Sequence, residues 1–533
     1  MKHHCSRLSY ESTGYFSKIV TDYLVQADTV RPFFVHTPDL KGIKEAIATR
    51  ESFQTPRTVL VKALEEQYAQ ITTSALVQQQ IQSLLSEKTF TVVTAHQPNI
   101  FTGPLYFIYK ILHAIQLADA LKNEMPDLHF VPVYYMGSED ADLDELGQIH
   151  IDGQPLTWKT NQTGAVGRMK ADKKLLELLA AIEGQTGVLP YGKELTDIFR
   201  KAYVEGRSIQ EATLYLVNEL FGRFGLVVLI PDQAKLKQCF ASVIEKELLE
   251  GFSHTIVSKT ISELEKNYKV QAGGRAINLF YLIDNQRERI EKEGDLFVDP
   301  ALGLQFTHDQ ILEELRTHPE RFSPNVILRG AFQETILPNI AFIGGGGELA
   351  YLLELKDVFA AIHVPYPVLI LRNSFLLITE EQEKRMQQLG LSTNNIFQKA
   401  DQLFTAMVKS RTSKQISLSR EQEVLQQWYD QIAQLAAGID ETLLPHVQSL
   451  QTKSLKRIEE LEKKMLRAEK RKFQTEEQQL KKWKAQLFPN DSLQERVDNI
   501  SGWYARYGSS WIDMLKESSL SLEAQFTLLA IDK

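Results

Sequence analysis

Phe90-Thr91-Val92-Val93-Thr94-Ala95-His96-Gln97-Pro98-Asn99-Ile100-Phe101-Thr102-Gly103-Pro104-Leu105-Tyr106 is the stretch that decides the fold. Its first half is a short apolar run rich in β-branched residues, the texture of a strand buried on both faces. Beyond the polar turn, Leu105, Ile108, Leu112, Ile115 and Leu117 recur near helical spacing. A second strand pattern follows at Phe130-Val131-Pro132-Val133-Tyr134-Tyr135. Strand, helix and strand make a βαβ unit, whose crossover is right-handed. Leu226-Val227-Val228-Leu229-Ile230 and Val368-Leu369-Ile370-Leu371 read as further strands. The core is α/β.

These strands lie far apart along the chain, so excursions separate them. Residues 1–150 form the first part of the core, 221–235 a core strand and 325–379 its last part. Between them, 151–220 and 236–324 are charged, mostly helical in pattern, and broken by Gly184, Gly206 and Gly273-Gly274. From residue 380 the texture changes. Leu425, Trp428, Ile432 and Leu435 keep a 3-4-3 spacing, Gly438 and Pro445 break it, and Ile458, Leu461, Met465 and Ala468 resume it. The spacing predicts an antiparallel coiled-coil-like hairpin over 380–490. The tail, 491–533, carries Trp503, Tyr504, Tyr507 and Trp511 and is expected to pack back on the core.

The chain has 533 residues, a formal charge of −8 and 43% hydrophobic residues, which is globular composition with material for several structural units. Two cysteines, Cys5 and Cys239, fit a reducing compartment, and no run at the start resembles a signal peptide. A cytoplasmic location is expected, with no membrane span and no nucleic-acid partner. Nine Lys/Arg and four Asp/Glu fall between Lys453 and Lys472, a pattern that suits a solvated helix face.

Three polar stretches carry candidate chemistry. In the first, Gly103 and Pro104 suit a helix start, where free N–H groups favour an anion. His96, Gln97, Asn99, Tyr106 and Lys110 would surround it, at the carboxyl end of a strand where α/β sheets bind ligands. In the second, Ser138-Glu139-Asp140-Ala141-Asp142-Leu143-Asp144-Glu145, five carboxylates crowd seven positions and call for a cation, a hydroxyl-rich ligand or a proton. Glu139, Asp140 and Asp142 are the candidates there, with Ser138 a helix cap. In the third, Gly344, Gly345, Gly346 and Gly347 precede Glu348. Four glycines permit positive φ and a close approach of N–H groups to an anion. Lys356, Arg372 and Asn373 are further candidate anion contacts. The twelve histidines show no paired ligand spacing, and no metal set emerges.

Taken in order, these stretches resemble the bacillithiol-biosynthesis cysteine-adding enzymes, the cysteine ligases. The resemblance is carried by His96-Gln97-Pro98-Asn99 with Phe101 to Tyr106, Tyr109-Lys110, Ser138-Glu139-Asp140 with Asp142 and Glu145, and Asn278-Leu279-Phe280. Pro324-Asn325-Val326 through Arg329, Gly344 to Glu348, Ala350-Tyr351, Leu355-Lys356, and Leu487-Phe488-Pro489 with Leu493 to Arg496 continue it. The chain departs from the family pattern at Ala95-His96-Gln97-Pro98-Asn99, Ala141, Gln148 and Gly346, so no histidine role in the acidic stretch is carried over. The resemblance implies a Rossmann-like nucleotidyltransferase-type core with two connecting-peptide insertions and a long helical coiled-coil arm that makes a homodimer. It also implies amide formation between L-cysteine and glucosaminyl-malate. A carboxylate is a poor electrophile, so ATP, accompanied by Mg²⁺, is the expected activating co-substrate, and a general base must free the amine. His96, Glu139, Asp140 and Asp142 are the candidate catalytic residues. Other readings are a different nucleotidyl- or adenylate-forming transferase, and a coiled-coil scaffold without catalysis.

Overall fold

The structure, a computed structural model, describes residues 2–151, 153–270 and 273–531. Chain contacts divide it into two units, residues 1–377 with 492–533, and 378–491.

The first unit is built on a five-stranded parallel sheet. In chain order its elements are β1 (Thr89–His96), α1 (Tyr106–Glu124), β2 (His129–Met136), β3 (Val227–Leu229), α2 (Val326–Ile336), β4 (Asn339–Gly344), α3 (Gly346–Leu353) and β5 (Val368–Leu371). The strands lie in the order β3-β2-β1-β4-β5, with Ala341 opposite Val92 and Thr94 opposite Tyr134. That order reverses direction between β1 and β4, the switch point of a Rossmann-like sheet. β4 is a strand the sequence reading did not name, because Ile340-Ala341-Phe342-Ile343 is short and merges with the glycine run. Val92, Ala341 and Val368 pack with Leu117 and Leu121 of α1 in the hydrophobic core. Each such Val or Leu side chain contributes roughly 1.5–3 kcal/mol by leaving water.

The excursions are less helical than their composition suggests. Six short strands fall between Leu279 and Pro324, among them the hairpin Leu279–Ile283 with Gln286–Arg289. Alternation at period two, as in Arg287-Glu288-Arg289, is the strand signal that the charge of this region hides. The tail belongs to the first unit. Phe526–Ile531 pairs antiparallel with His3–Leu8.

In the second unit, α4 (Ser419–Ala437) and α5 (Leu444–Lys470) run antiparallel, followed by α6 (Gln474–Leu487). Tyr429 and Ser454 hydroxyls meet at 2.7 Å, and Leu418 N–H donates to Glu462 at 3.0 Å, the descending register of a hairpin. Val424, Trp428, Leu435 and Ile439 stay exposed, so the apolar spacing of α4 is only partly satisfied within the hairpin.

Two buried polar devices hold the first unit. Arg50 donates to the carbonyls of Asn339 and Glu334 and to the Glu334 carboxylate, with both side chains 1% exposed. Replacing Arg50 by Ala strands that carboxylate and is expected to cost about 3–5 kcal/mol in urea unfolding. His113, on α1, accepts from Asn373 N–H at 3.1 Å and, through its other ring nitrogen, donates to Ser521 O at 2.7 Å. Burial pushes its pKa down to about 4, against the opposing pull of the Ser521 bond. The unfolded chain binds this proton below pH ~6.5 while the folded chain refuses it, so stability falls as pH drops from ~6.5 to ~4. A His113→Gln variant is expected to show a flatter stability profile across that window in urea titrations.

Candidate functional site

A cleft of about 600 Å³ opens at the carboxyl edge of the sheet, over the switch point. β1 delivers Ala95, His96 and Gln97 to it, β2 delivers Tyr135, Gly137 and Asp140, and the turn after β4 delivers Gly345, Gly346, Gly347 and Glu348. Arg372 comes from the end of β5, and Arg329 and Tyr351 from α2 and α3. Phe280, Arg287 and Arg289 come from the insertion hairpin, Arg275 from the loop before it, and Arg496 from the tail.

Charge is the dominant feature. Lys110 touches Glu348 and Arg372 pairs with Glu495 at 2.7 Å. Among the described residues, Arg275, Arg287, Arg289, Arg329 and Arg496 have no carboxylate within 4.0 Å. They line one cleft with Asp140 as its uncommitted acid. Burial opposes the charge on Arg329, but Tyr351 and Asp140 beside it hold its pKa above the usual guanidinium value. Asn325 caps α2 through Ile327 N–H at 2.9 Å and is itself held by Asn278 at 2.8 Å. That clamp sets the helix turn that carries Arg329.

His96 is buried, its ring set against Tyr106 and Phe107 with centroids 5.3 Å away, and its Nε2 has no hydrogen-bond partner among the described residues. Burial, with the charges of Lys110, Arg372 and Arg329, holds its pKa well below the usual value. It is a neutral imidazole in the cleft wall, with a buried Nε2 that could donate to or accept from an oxygen brought against it. Burial would raise the pKa of Asp140, but a hydrogen bond from Gln97 at 3.1 Å and the charges of Arg329 and Arg287 bring it below the ordinary carboxylate range. Asp140 is therefore an anion at neutral pH. Lys110 is kept in place by Ala95 O at 2.9 Å, and Tyr106 closes one wall with its phenol pushed up by burial to about 12.

Several sequence candidates lie elsewhere. Glu139 turns inward to Lys237, which also lies 3.8 Å from Asp232, itself held by Arg168 at 2.7 Å. Adjacent residues at this strand exit point opposite ways, so Asp140 faces the cleft and Glu139 the interior. Asp142, not Ser138, caps the following helical turn, accepting from Glu145 N–H at 3.1 Å, and is exposed. Lys356 bonds Pro32 O, and Asn373 bonds His113 and Leu520 O. Asn99 is buried behind the turn.

Gly103 and Pro104 do not start a helix. α1 begins at Tyr106, and Gly103, at φ 61°, ends a 3₁₀ turn in which Phe101 and Thr102 also have positive φ, 49° and 72°. Leu105 N–H donates to Asp498 O and Phe101 N–H to the Tyr203 hydroxyl. The N–H groups of Phe101, Gly103, Leu105 and Phe107 are committed to protein partners. Nor do Gly344 to Gly347 use positive φ. A Cβ on Gly344 would meet the Phe342 ring at 2.8 Å, so that glycine serves packing, whereas Gly347 borders open space. Gly345 N–H is taken by Glu348 at 2.7 Å, leaving the next N–H groups of the first turn of α3 before its first helical bond.

Arg372 was legible in the sequence; the other five cleft arginines were not. Arg329 and Arg496 were quoted only as part of a resemblance. The two-residue spacing of Arg287 and Arg289 is a usable signal, since a strand places such a pair on one face.

Residues 1–373 match the family model described as "Bacillithiol biosynthesis BshC, N-terminal Rossmann-like domain", and residues 375–531 match "Bacillithiol biosynthesis BshC, C-terminal coiled-coil domain". A Flavobacterium johnsoniae protein named "Putative cysteine ligase BshC" is 39% identical over 98% of this chain and 99% of its own length. Proteins of the same name from Christiangramia forsetii and Flavobacterium psychrophilum are each 37% identical, over 99% and 98% of both chains respectively. The chain that builds this arginine-lined cleft on a Rossmann-like sheet belongs to the BshC family of bacillithiol biosynthesis.

Proposed function

We propose that the cleft joins L-cysteine to the amine of glucosaminyl-malate, forming an amide and completing bacillithiol. One observation carries the reading within this family: an anion-seeking cleft at the sheet's switch point, with five guanidinium groups that have no carboxylate within 4.0 Å among the described residues, Asp140 ionised and a neutral His96 in the wall. Glucosaminyl-malate brings two malate carboxylates and a sugar ammonium. Arg287, Arg289 and Arg329 would take the carboxylates as guanidinium forks do. Asp140 would receive the ammonium, orient it, and pass its proton outward when the amine attacks. His96 Nε2 would polarise the carbonyl under attack.

The residues also suit a phosphate-bearing co-substrate. The open turn at Gly346 and Gly347, with Lys110 and Arg372 alongside, would hold its phosphates; ATP would convert the cysteine carboxyl to an acyl phosphate or acyl adenylate, from which phosphate or AMP leaves as the amine forms the amide. Among the described residues no group of three or more His, Cys, Asp or Glu is arranged to hold a metal, so Mg²⁺ would arrive with the nucleotide.

Mass spectrometry of full-length protein with cysteine, glucosaminyl-malate, ATP and Mg²⁺ should detect bacillithiol. His96→Gln and Asp140→Asn are each expected to cut turnover at least tenfold in protein that remains folded by circular dichroism. Turnover equal to wild type would make both positions structural.

We also propose that the exposed apolar residues of α4 pair with a second copy of the chain, the classical use of an unsatisfied helical stripe being association. Sedimentation should then show a dimer that Trp428→Glu with Leu435→Glu weakens at least tenfold; an unchanged distribution would remove this surface from the account.

A further inference from the structure

Glu495 sits outside the cleft wall, fully buried, in the stretch that re-enters the first unit after residue 491. One of its oxygens accepts from Arg372 at 2.7 Å and the other from Phe375 N–H at 3.2 Å. Arg372 is otherwise fixed by Nη1, which donates to Asn373 O and Ser374 Oγ at 3.0 Å each, and by the Tyr106 ring, 5.2 Å from the guanidinium carbon. Those bonds occupy the outer end of the fork. What remains is the Nε edge, directed at the glycine turn: a Cβ on Gly345 would lie 3.7 Å from it.

The neighbours of Glu495 grip the same region. Gln494 donates to Leu377 O at 3.2 Å and accepts from Leu377 N–H at 2.9 Å, closing the two ends of chain between which residues 378–491 are inserted. Asn499 donates to Phe101 O at 2.9 Å and Gly103 O at 2.7 Å, holding the turn in which Phe101 and Thr102 take positive φ. A stretch of six residues, 494–499, thus reaches both the β1 exit and the β5 exit. Within it, Glu495 pairs with one cleft cation, Arg372.

We propose that Glu495 is a positioning residue: it orients Arg372 so that the free Nε edge of the guanidinium meets an oxyanion of the bound ligand beside Gly345–Gly347. The inference rests on the reading of the cleft given above. Glu495 touches no ligand and acts through Arg372. Its loss should therefore change ligand affinity only while Arg372 is present, which ordinary packing would not do.

Isothermal titrations of glucosaminyl-malate and, separately, of ATP into the full-length chain test this in wild type, Glu495→Gln, Arg372→Lys and the double variant. Glu495→Gln is expected to weaken binding of one of the two ligands at least tenfold, and to add less than twofold in the Arg372→Lys background. Binding of both ligands equal to wild type overturns the inference, as does a loss that adds in full to that of Arg372→Lys. A purely structural Glu495 would lower Tm and leave the affinity of the folded protein unchanged. If Glu495→Gln does not fold, Glu495→Asp, which keeps the charge and shortens the reach, enters the same comparison with an intermediate loss expected and no loss contradicting the proposal. A wild-type chain that binds neither ligand is a different failure: it overturns the reading of the cleft, and this inference with it.

Discussion

Guanidinium groups that gather in one cleft without carboxylate partners repel one another, and the fold must hold them against that repulsion. Arg275, Arg287, Arg289, Arg329 and Arg496 come from four separate stretches of the first unit. All line the same space at the carboxyl edge of the sheet. A pair of like charges 6–8 Å apart at an effective dielectric of ~20 repels by about 2–3 kcal/mol. Such an arrangement is relieved by a polyanion, and the parallel sheet supplies the rim on which to build it. The strand order β3-β2-β1-β4-β5 leaves its crevice between β1 and β4. The insertions and the tail then bring in the charges.

Rigid polar contacts around the rim do the aiming. Asn278 fixes Asn325, which caps the helix bearing Arg329. Gln97 holds Asp140, and Glu348 closes the glycine turn while engaging Lys110. Asn499 ties down a turn that strains two non-glycine residues, Phe101 and Thr102. Strained backbone persists where its surroundings over-determine it, and here those surroundings are the Tyr203 hydroxyl and the returning tail. Neutral His96 fits the same plan. Placed among cations in a buried wall, it stays uncharged and adds nothing to the repulsion.

The α/β core was readable because β1 and β2 are continuous apolar runs separated by a periodic helix, and such local signals need no tertiary context. The residues of the cleft were readable where they sit at strand exits: His96, Gln97, Asp140 and Gly345 to Gly347 all follow β1, β2 or β4. Orientation was not readable. Glu139 and Asp140 are adjacent and chemically alike, and only the buried Lys237 distinguishes them. Gly103-Pro104 carries a good helix-start signature, yet Asp498 and Asn499, hundreds of positions away, turn that segment into a different structure. Long-range partners of this kind leave no trace in local spacing. Arg275, Arg329 and Arg496 escaped for a related reason: each is unremarkable within its own segment, and only folding makes them neighbours.

A crystal structure of the full-length protein grown with glucosaminyl-malate tests the central claim most directly. Convergence of these segments on one substrate predicts electron density for the malate carboxylates against Arg287, Arg289 or Arg329, with the sugar amine at Asp140. Well-defined ligand density elsewhere on the molecule, with the arginine-lined cleft filled only by solvent, would contradict the account.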